Sequence, residues 1–520
     1  MAALTTAFAA TRGSEMALVD EFGSTTWAEL DERVNRLVNG LRDRGLANGD
    51  RVAVVAGNRR EWFEIALACS HGGWSYVPVN WHLVADELAY MLDDAAAAAV
   101  FIDPRFAQQV HLALDDPRGA SVKVVVALGD EARHARSVDY QAVLADGSPE
   151  EPAEQRLGGP MFYTSGTTGR PKGVRGSLSG GGDLPPEILQ LVAGGFANFL
   201  PVPGRTLLCG PVYHSAQWAF SFLPLVGGSS VVMQHRYDSA EVLRLIDQHA
   251  CTNVHLVPTQ MKRLVDLPDD VKRSFDGTSL TAVWHGAAPC PPAVKRSLID
   301  WWGPKVTEYY GSTEGSIIST VSATEWLDKG GSVGRPLDAV EVIVVGDDDQ
   351  PVPAGQPGTL YFRNRMGTDF SYHNDDAKTA AAHREPGVFT TGDVGYLDSD
   401  GYLWLSDRKI DMIISGGVNI YPAEIEGVLA GHPAVADVAV IGVPDDEFGE
   451  SVKAVVEVAE GHAADDQLVA ELIAHCRTLL AGYKAPKSVD FIDLIPRTGT
   501  GKIQKKPLRD PYWADHDRSI

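Results

Sequence analysis

The sequence predicts an α/β protein in two parts. A large N-terminal domain of layered α/β subdomains carrying a β-barrel-like section spans residues 1–407, and a small α+β C-terminal domain spans 408–520. Three observations predict this. The first half alternates helical patterns with short Val/Ile-rich runs, which is the signature of layered helices on largely parallel strands. Beyond residue 330 the texture changes to Gly/Pro-punctuated β-like runs. After SDRKIDMIISGG the chain restarts with a fresh helix and strand pattern of normal domain size.

In chain order, WAELDERVNRLVNGLRDRG reads as a helix followed by the strand DRVAVVAG, then EWFEIALACSHGG as a helix followed by SYVPVN. The same pairing repeats in ADELAYMLDDA with AAVFID and in EVLRLIDQHA with NVHLVP. The stretch GSLSGGGDLPPEILQLVAGGFANFLPVPG opens with a Gly run that predicts a mobile connection and continues as an apolar helix able to wall a roomy pocket. VEVIVVG, GTLYFRN and GYLWLSD supply the antiparallel or barrel-like section. PAEIEGVLAGHP, VADVAVIGVPDDEFGESVKAVVEV and a helix near 465–480 make up the second domain, which sits directly against the first.

Size and charge narrow the function. The chain has 520 residues, 44% of them apolar and 22% charged, which fits a soluble protein of more than one domain. Its 69 acidic residues against 45 Lys and Arg give a formal charge of -24, so the surface repels nucleic acid. The five cysteines (Cys69, Cys209, Cys251, Cys290, Cys476) show no metal-ligand spacing and suit a reducing cytoplasm. No apolar run is long enough for an integral membrane segment, and AALTTAFAA lacks the basic start of a signal peptide.

The sharpest local motif is YTSGTTGRPKG at Tyr163 to Gly173, where backbone amides and hydroxyls can surround phosphate oxygens and a Lys adds charge. A Walker-type loop fails, because aligning its first Gly on Gly166 puts Pro171 at the second Gly and Gly173 at the Mg-binding hydroxyl. Further motifs follow in order: HGAAP from His285, YGSTEG from Tyr310, TGD at Thr391 to Asp393, DRKIDMIISGGVNIYPAEIE from Asp407, and PRTGTGK ending at Lys502. Together with TWAELDERV and GDRVAV they resemble, over almost the whole chain, the adenylate-forming superfamily of acyl-CoA synthetases, luciferases and nonribosomal-peptide adenylation domains. Within it the chain looks like the acyl-CoA ligase branch.

That resemblance implies an enzyme that joins a carboxylic acid to ATP as an acyl-adenylate, with loss of pyrophosphate, and then passes the acyl group to CoA. It implies ATP and CoA as co-substrates and Mg²⁺ as cofactor. Thr164, Ser165, Gly166, Thr167, Thr168, Gly169 and Lys172 would hold the phosphates, with Glu314 and Thr167 or Thr168 binding Mg²⁺. Gly286, Ala287 and Ala288 would line the adenine pocket, Tyr310 would stack on the base beside Gly311 and Thr313, and Asp393 and Arg408 would meet the ribose. Lys502 matches the lysine that reaches the carboxylate and the α-phosphate. In a second orientation of a mobile C-terminal domain, Gly416 and Gly417 come in beside the thiol. Ile410 stands at a hinge position that is usually Asp or Lys in the family.

The acyl pocket is expected near PVYHSAQWAFSFLPLVGG, with His214 as gate and Trp218 and His285 as further candidates, although aromatics at this spacing also belong in a core. The absence of charge there suits an apolar fatty, aromatic or steroid-side-chain acid. The sequence leaves open a stand-alone enzyme that loads a carrier protein, a luciferase-like oxygenase, a non-catalytic nucleotide-binding protein, and a homodimer.

Overall fold

Thr26 starts the helix Trp27–Asp43 with a reciprocal cap: Glu29 N–H donates to Thr26 Oγ1 at 3.3 Å and Thr26 N–H donates to Glu29 Oε2 at 2.8 Å. Its apolar stripe of Trp27, Leu30, Val34, Leu37, Val38 and Leu41 is buried, as the 3.6-residue period requires. The computed structural model describes residues 4–164, 170–176, 179, 184–287, 290, 292–346, 348–408, 413–420, 422–496, 503 and 505–514.

Five sheets organise these residues. A parallel one runs Ser75–Pro78, Arg51–Val55, Ala97–Ile102, Val124–Ala127, Ser137–Asp139. Because side chains alternate along a strand, Val52 and Val54 point into a core with the helices Trp27–Asp43 and Arg60–Gly72, while Ala53 and Val55 face the helix Ala85–Asp94 on the other side. Burial on both faces explains why these strands read as unbroken Val/Ile/Ala runs.

The largest sheet has nine strands. Its centre is parallel through Ser230–Met233, Arg205–Leu208, Asn253–Leu256, Ala282–His285 and Val306–Ser312, and an antiparallel return, Ser316–Ser322, adds its edge. The texture change expected beyond 330 is a six-stranded antiparallel sheet built from 340–408, with Val344, Leu360, Phe362 and Leu403 in its core. A three-stranded sheet joins Phe162–Thr164 and Lys172–Arg175 to Ser371–Tyr372. Residues 413–492 form the fifth sheet and pack it against Pro422–Leu429 and Asp466–Leu479 around their own core of Ile413, Ile425, Val440, Ala454 and Leu472. The apolar stretch after the glycine run is the helix Ile188–Phe196. Among the described residues no helix is long and apolar enough to cross a membrane.

Candidate active site

The strands Asn253–Leu256, Ala282–His285 and Val306–Ser312 are parallel and end at one edge of the large sheet, where the chain leaves them in loops free to carry ligand groups. At that edge Gly286 is buried, and a Cβ added there would lie 2.5 Å from Tyr309 Cε1, so only glycine fits. Ala287 follows with φ of 69°, a left-handed conformation that tips the backbone outward.

Val306–Ser312 and Ser316–Ser322 form a hairpin whose register shifts between Tyr310 and Gly311. Gly311 has no room for a side chain, since its Cβ would stand 2.1 Å from Ser316 O. The turn presents Thr313 and Glu314. Thr313 Oγ1 shares a 3.0 Å hydrogen bond with Ser215 Oγ, which places His214 and the start of helix Ser215–Val226 beside the turn. Glu314 Oε1 accepts from Tyr372 Oη at 3.1 Å, and burial raises its pKa. Tyr310 does not stand free for stacking: its ring packs in the core of the antiparallel sheet, 6.1 Å from Phe362, and its hydroxyl donates to Asp393 Oδ2 at 2.6 Å. Thr391 Oγ1 donates to the same oxygen at 2.8 Å, so two hydroxyls fix the Asp393 carboxylate in place. The backbone of Arg408 pairs with Asp393 across the sheet.

The phosphate loop is anchored at both ends by the three-stranded sheet. Thr164 pairs with Lys172, and Lys172 Nζ forms an ion pair with Asp375 Oδ2 at the start of helix Asp376–Ala382. Lys378 lies 4.4 Å from the Tyr372 ring, and burial with nearby Lys172 lowers its pKa. Tyr372, Asp375 and Lys378 were not legible as site residues. They belong to no motif, and the only local signal is a polar turn capping a helix. Two cations and two carboxylates, Lys172, Lys378, Glu314 and Asp375, thus converge on one polyanion-sized region.

Two expected pocket residues lie elsewhere. His285 is fully buried on the opposite face of its strand, 3.9 Å from Glu308, with neither ring nitrogen hydrogen-bonded. Burial and the neighbouring Lys295 drive its pKa well down, so it is a neutral core residue. Trp218 is only 5% exposed, stacks on Phe222 at 5.4 Å and donates Nε1–H to Tyr76 Oη at 2.7 Å, which makes it core. The sheet face below Gly286 carries a second buried aromatic cluster: Phe220, Trp284 and Tyr309, backed by Phe196 and Phe199. Their ring centroids stand 5.3–6.5 Å apart. His255 joins them, its Nε2 sharing a 3.1 Å bond with Tyr309 Oη and its Nδ1 a 2.9 Å bond with Gln217. His214 is half-buried; burial and neighbouring His82 push its pKa down to about 4.

Gly416 and Gly417 form the tip of a hairpin between Ile413–Ser415 and Val418–Ile420, with φ of 59° and 79°. Two consecutive left-handed residues suit a tight hairpin turn. The tip rests on the segment after Asn253–Leu256: a Cβ at Gly417 would lie 3.3 Å from Val257 Cβ, and one at Gly416 would lie 3.9 Å from Thr259 Oγ1. Ser165, Gly166, Thr167, Thr168, Gly169, Ala288, Ile410, Lys502 and the Arg408 side chain lie outside the described residues.

The family model described as "AMP-binding enzyme" matches residues 5–368, and "AMP-binding enzyme C-terminal domain" matches 424–502. A feruloyl-CoA synthase of Amycolatopsis sp is 36% identical over 93% of both chains. An indoleacetate–CoA ligase of Aromatoleum aromaticum is 34% identical over 93% of this chain and 92% of its own. Among solved structures, the amide bond synthetase McbA of Marinactinospora thermotolerans superposes with a TM-score of 0.84 at 30% identity, covering 96% of this chain and 97% of its own. The o-succinylbenzoate CoA synthetase of Bacillus subtilis gives 0.81 as a double mutant bound to a CoA product analogue, at 27% identity and 97% coverage of both chains. In complex with its acyl-adenylate intermediate it gives 0.65, at 27% identity and 98% coverage of both.

Proposed function

The chain belongs to the AMP-binding enzyme family and is an AMP-forming acid–CoA ligase, and on that premise we propose that its acid is an aromatic carboxylic acid, with Mg²⁺ as cofactor. What supports the choice of acid is the make-up of the wall below Gly286, where the buried rings of Phe220, Trp284 and Tyr309 pack together with no charged side chain among them. The two relatives named for feruloyl and indoleacetate point the same way.

A carboxylate is a poor electrophile, and joining it to AMP gives its carbonyl a good leaving group. In the first step a carboxylate oxygen bonds to the α-phosphorus of ATP as the bond to pyrophosphate breaks; in the second, the CoA sulfur bonds to the carbonyl carbon and AMP departs. Charge must be neutralised around the phosphates in the first step. Lys172, Lys378 and the phosphate loop are assigned that work, Asp393 holds the ribose, and Lys502 meets the carboxylate and α-phosphate. Glu314 fits Mg²⁺: it is a partly enclosed acceptor already oriented by Tyr372, and Mg²⁺ takes one or two carboxylates with substrate phosphates. The ion supplies neutralisation of the triphosphate. Neutral His214 stands at the mouth of the aromatic face, where it excludes water without adding charge to the anhydride.

We place a hinge at Ile410, between parts 1–407 and 408–520. The nearer match to the CoA-analogue complex, 0.81 against 0.65, together with the Gly416–Gly417 tip on Val257–Thr259, supports reading the present orientation as the one for thiol transfer.

The test is pyrophosphate release from ATP and Mg²⁺ with ferulate, indole-3-acetate, decanoate or a steroid side-chain acid, with and without CoA, followed by mass detection of the product. CoA-dependent turnover greatest with ferulate or indole-3-acetate is expected. Preference for decanoate or the steroid acid would overturn the aromatic assignment, and adenylate without acyl-CoA would move the acceptor to another nucleophile.

A further inference from the structure

Away from the reacting groups, a buried lysine ties the two parts of the chain together. Lys484 is 3% exposed and donates to Glu87 Oε1 at 2.8 Å and Glu424 Oε1 at 2.6 Å. Both carboxylates are buried as well. The neighbouring Tyr483 hydroxyl accepts from Asn80 Nδ2 at 2.8 Å, and Ala481 packs into the core beneath helix Ala85–Asp94. The contact continues toward the site: the Tyr483 ring meets His82 edge-on at 5.8 Å, His82 Nδ1 lies 3.3 Å from Tyr213 Oη, and Tyr213 adjoins His214.

A lysine enters the interior only when its charge is matched, because the loss of hydration is otherwise uncompensated. Glu424 and Lys484 lie in the same part and move together. Glu87 lies in the other part, where its second oxygen also caps helix Ala85–Asp94 through Val84 N–H at 3.1 Å. The Lys484–Glu87 bond thus joins the two parts in the orientation that puts Gly416 and Gly417 on Val257–Thr259, and a turn of the second part about the proposed hinge would break it. A contact present in one of two orientations contributes its whole free energy to the balance between them.

Resting on the acid–CoA ligase reading above, we infer that Lys484 is a positioning residue for thiol transfer: with Glu87 it latches the second part in the CoA-accepting orientation. It touches no substrate. Its effect is selective, because the adenylate-forming orientation does not contain the bond. Burial and the presence of Glu87 hold the Glu424 carboxyl up to about 7, a sign of how closely the three charges are confined.

The experiment separates the two half-reactions in the full chain carrying Glu87→Gln or Lys484→Met. Pyrophosphate release with ATP, Mg²⁺ and ferulate in the absence of CoA reads the first. Quenched-flow formation of feruloyl-CoA from the enzyme-bound adenylate reads the second. Glu87→Gln is expected to slow the second on the order of tenfold and to leave the first within about twofold, with Lys484→Met slowing the second further. Equal loss in both steps, or loss in neither, would overturn the latch. If the unmodified chain releases no pyrophosphate with ferulate, the aromatic-acid reading fails instead. The latch is then read by hydrogen exchange without substrates. Glu87→Gln should speed exchange at the Lys484 and Gly416 amides, and unchanged exchange there would rule the latch out.

Discussion

Asp393 accepts two hydrogen bonds on one oxygen, from Tyr310 and Thr391, and this fixes the carboxylate before nucleotide arrives. Hydrogen bonds to a charged group contribute about 1.5–3 kcal/mol. Tyr310→Phe removes one of them while keeping the ring in its core, so the KM for ATP should rise roughly tenfold or more and the melting temperature should fall by a few degrees. Initial rates against ATP concentration check this. His214 gives a pH prediction. Burial and His82 push its pKa down to about 4, so it is largely neutral across the range from pH 6 to 8. The pH profile of kcat/KM for the acid should therefore keep its shape in His214→Phe. A limb near pH 6.5 lost in that variant would show that the histidine does titrate. Lys502 is tested in the same way. Lys502→Ala should lower adenylate formation by about 10²- to 10³-fold while sparing acyl transfer from preformed adenylate, as single-turnover assays of each step would show.

Among the elements, the hairpin Ile413–Ser415/Val418–Ile420 carries most consequence. Its tip needs left-handed backbone at two residues, and Gly417 also sits 3.3 Å from Val257 for any added Cβ. Gly417→Ala combines strain, worth about 1 kcal/mol, with a tight contact made only while the tip is docked. Acyl-CoA formation should slow several-fold in quenched flow while pyrophosphate release without CoA holds. The three-stranded sheet is the second such element. By pairing Ser371–Tyr372 with Lys172–Arg175, it brings Tyr372, Asp375 and Lys378 to the phosphate loop from about two hundred residues further along the chain.

At the scale of the whole molecule, residues 413–492 hold a core of their own, yet Ala481 and Tyr483 also complete the core beneath helix Ala85–Asp94. A chain ending at 407 should therefore bind ATP but lose measurable adenylate formation, because Lys502 is gone. It should also unfold at a lower temperature than the full chain, because Glu87 loses its lysine. Calorimetry and nucleotide binding measured on the same sample check both halves.

Local rules carried much of the architecture. Trp27–Asp43 is legible because its cap and apolar period are encoded in neighbouring residues, and the unbroken Val/Ile runs announce strands buried on both faces. Thr164, Lys172, Gly286, Glu314 and Asp393 could be named as candidates from sequence because the loops that carry them combine glycine, hydroxyl and charge at fixed spacing. By itself the sequence determined the family, the order of elements and the adenylate chemistry. Only the tertiary structure decided which face of its strand each residue occupies. A one-residue alternation sends His285 to one face of the sheet and Trp284 into the aromatic cluster on the other, while Trp218 is held in the core by its bond to Tyr76. The partners of Lys172, Glu314 and Lys484 were likewise beyond sequence reasoning. Each comes from a distant segment, and an ion pair is set by distance in space, which local spacing does not encode.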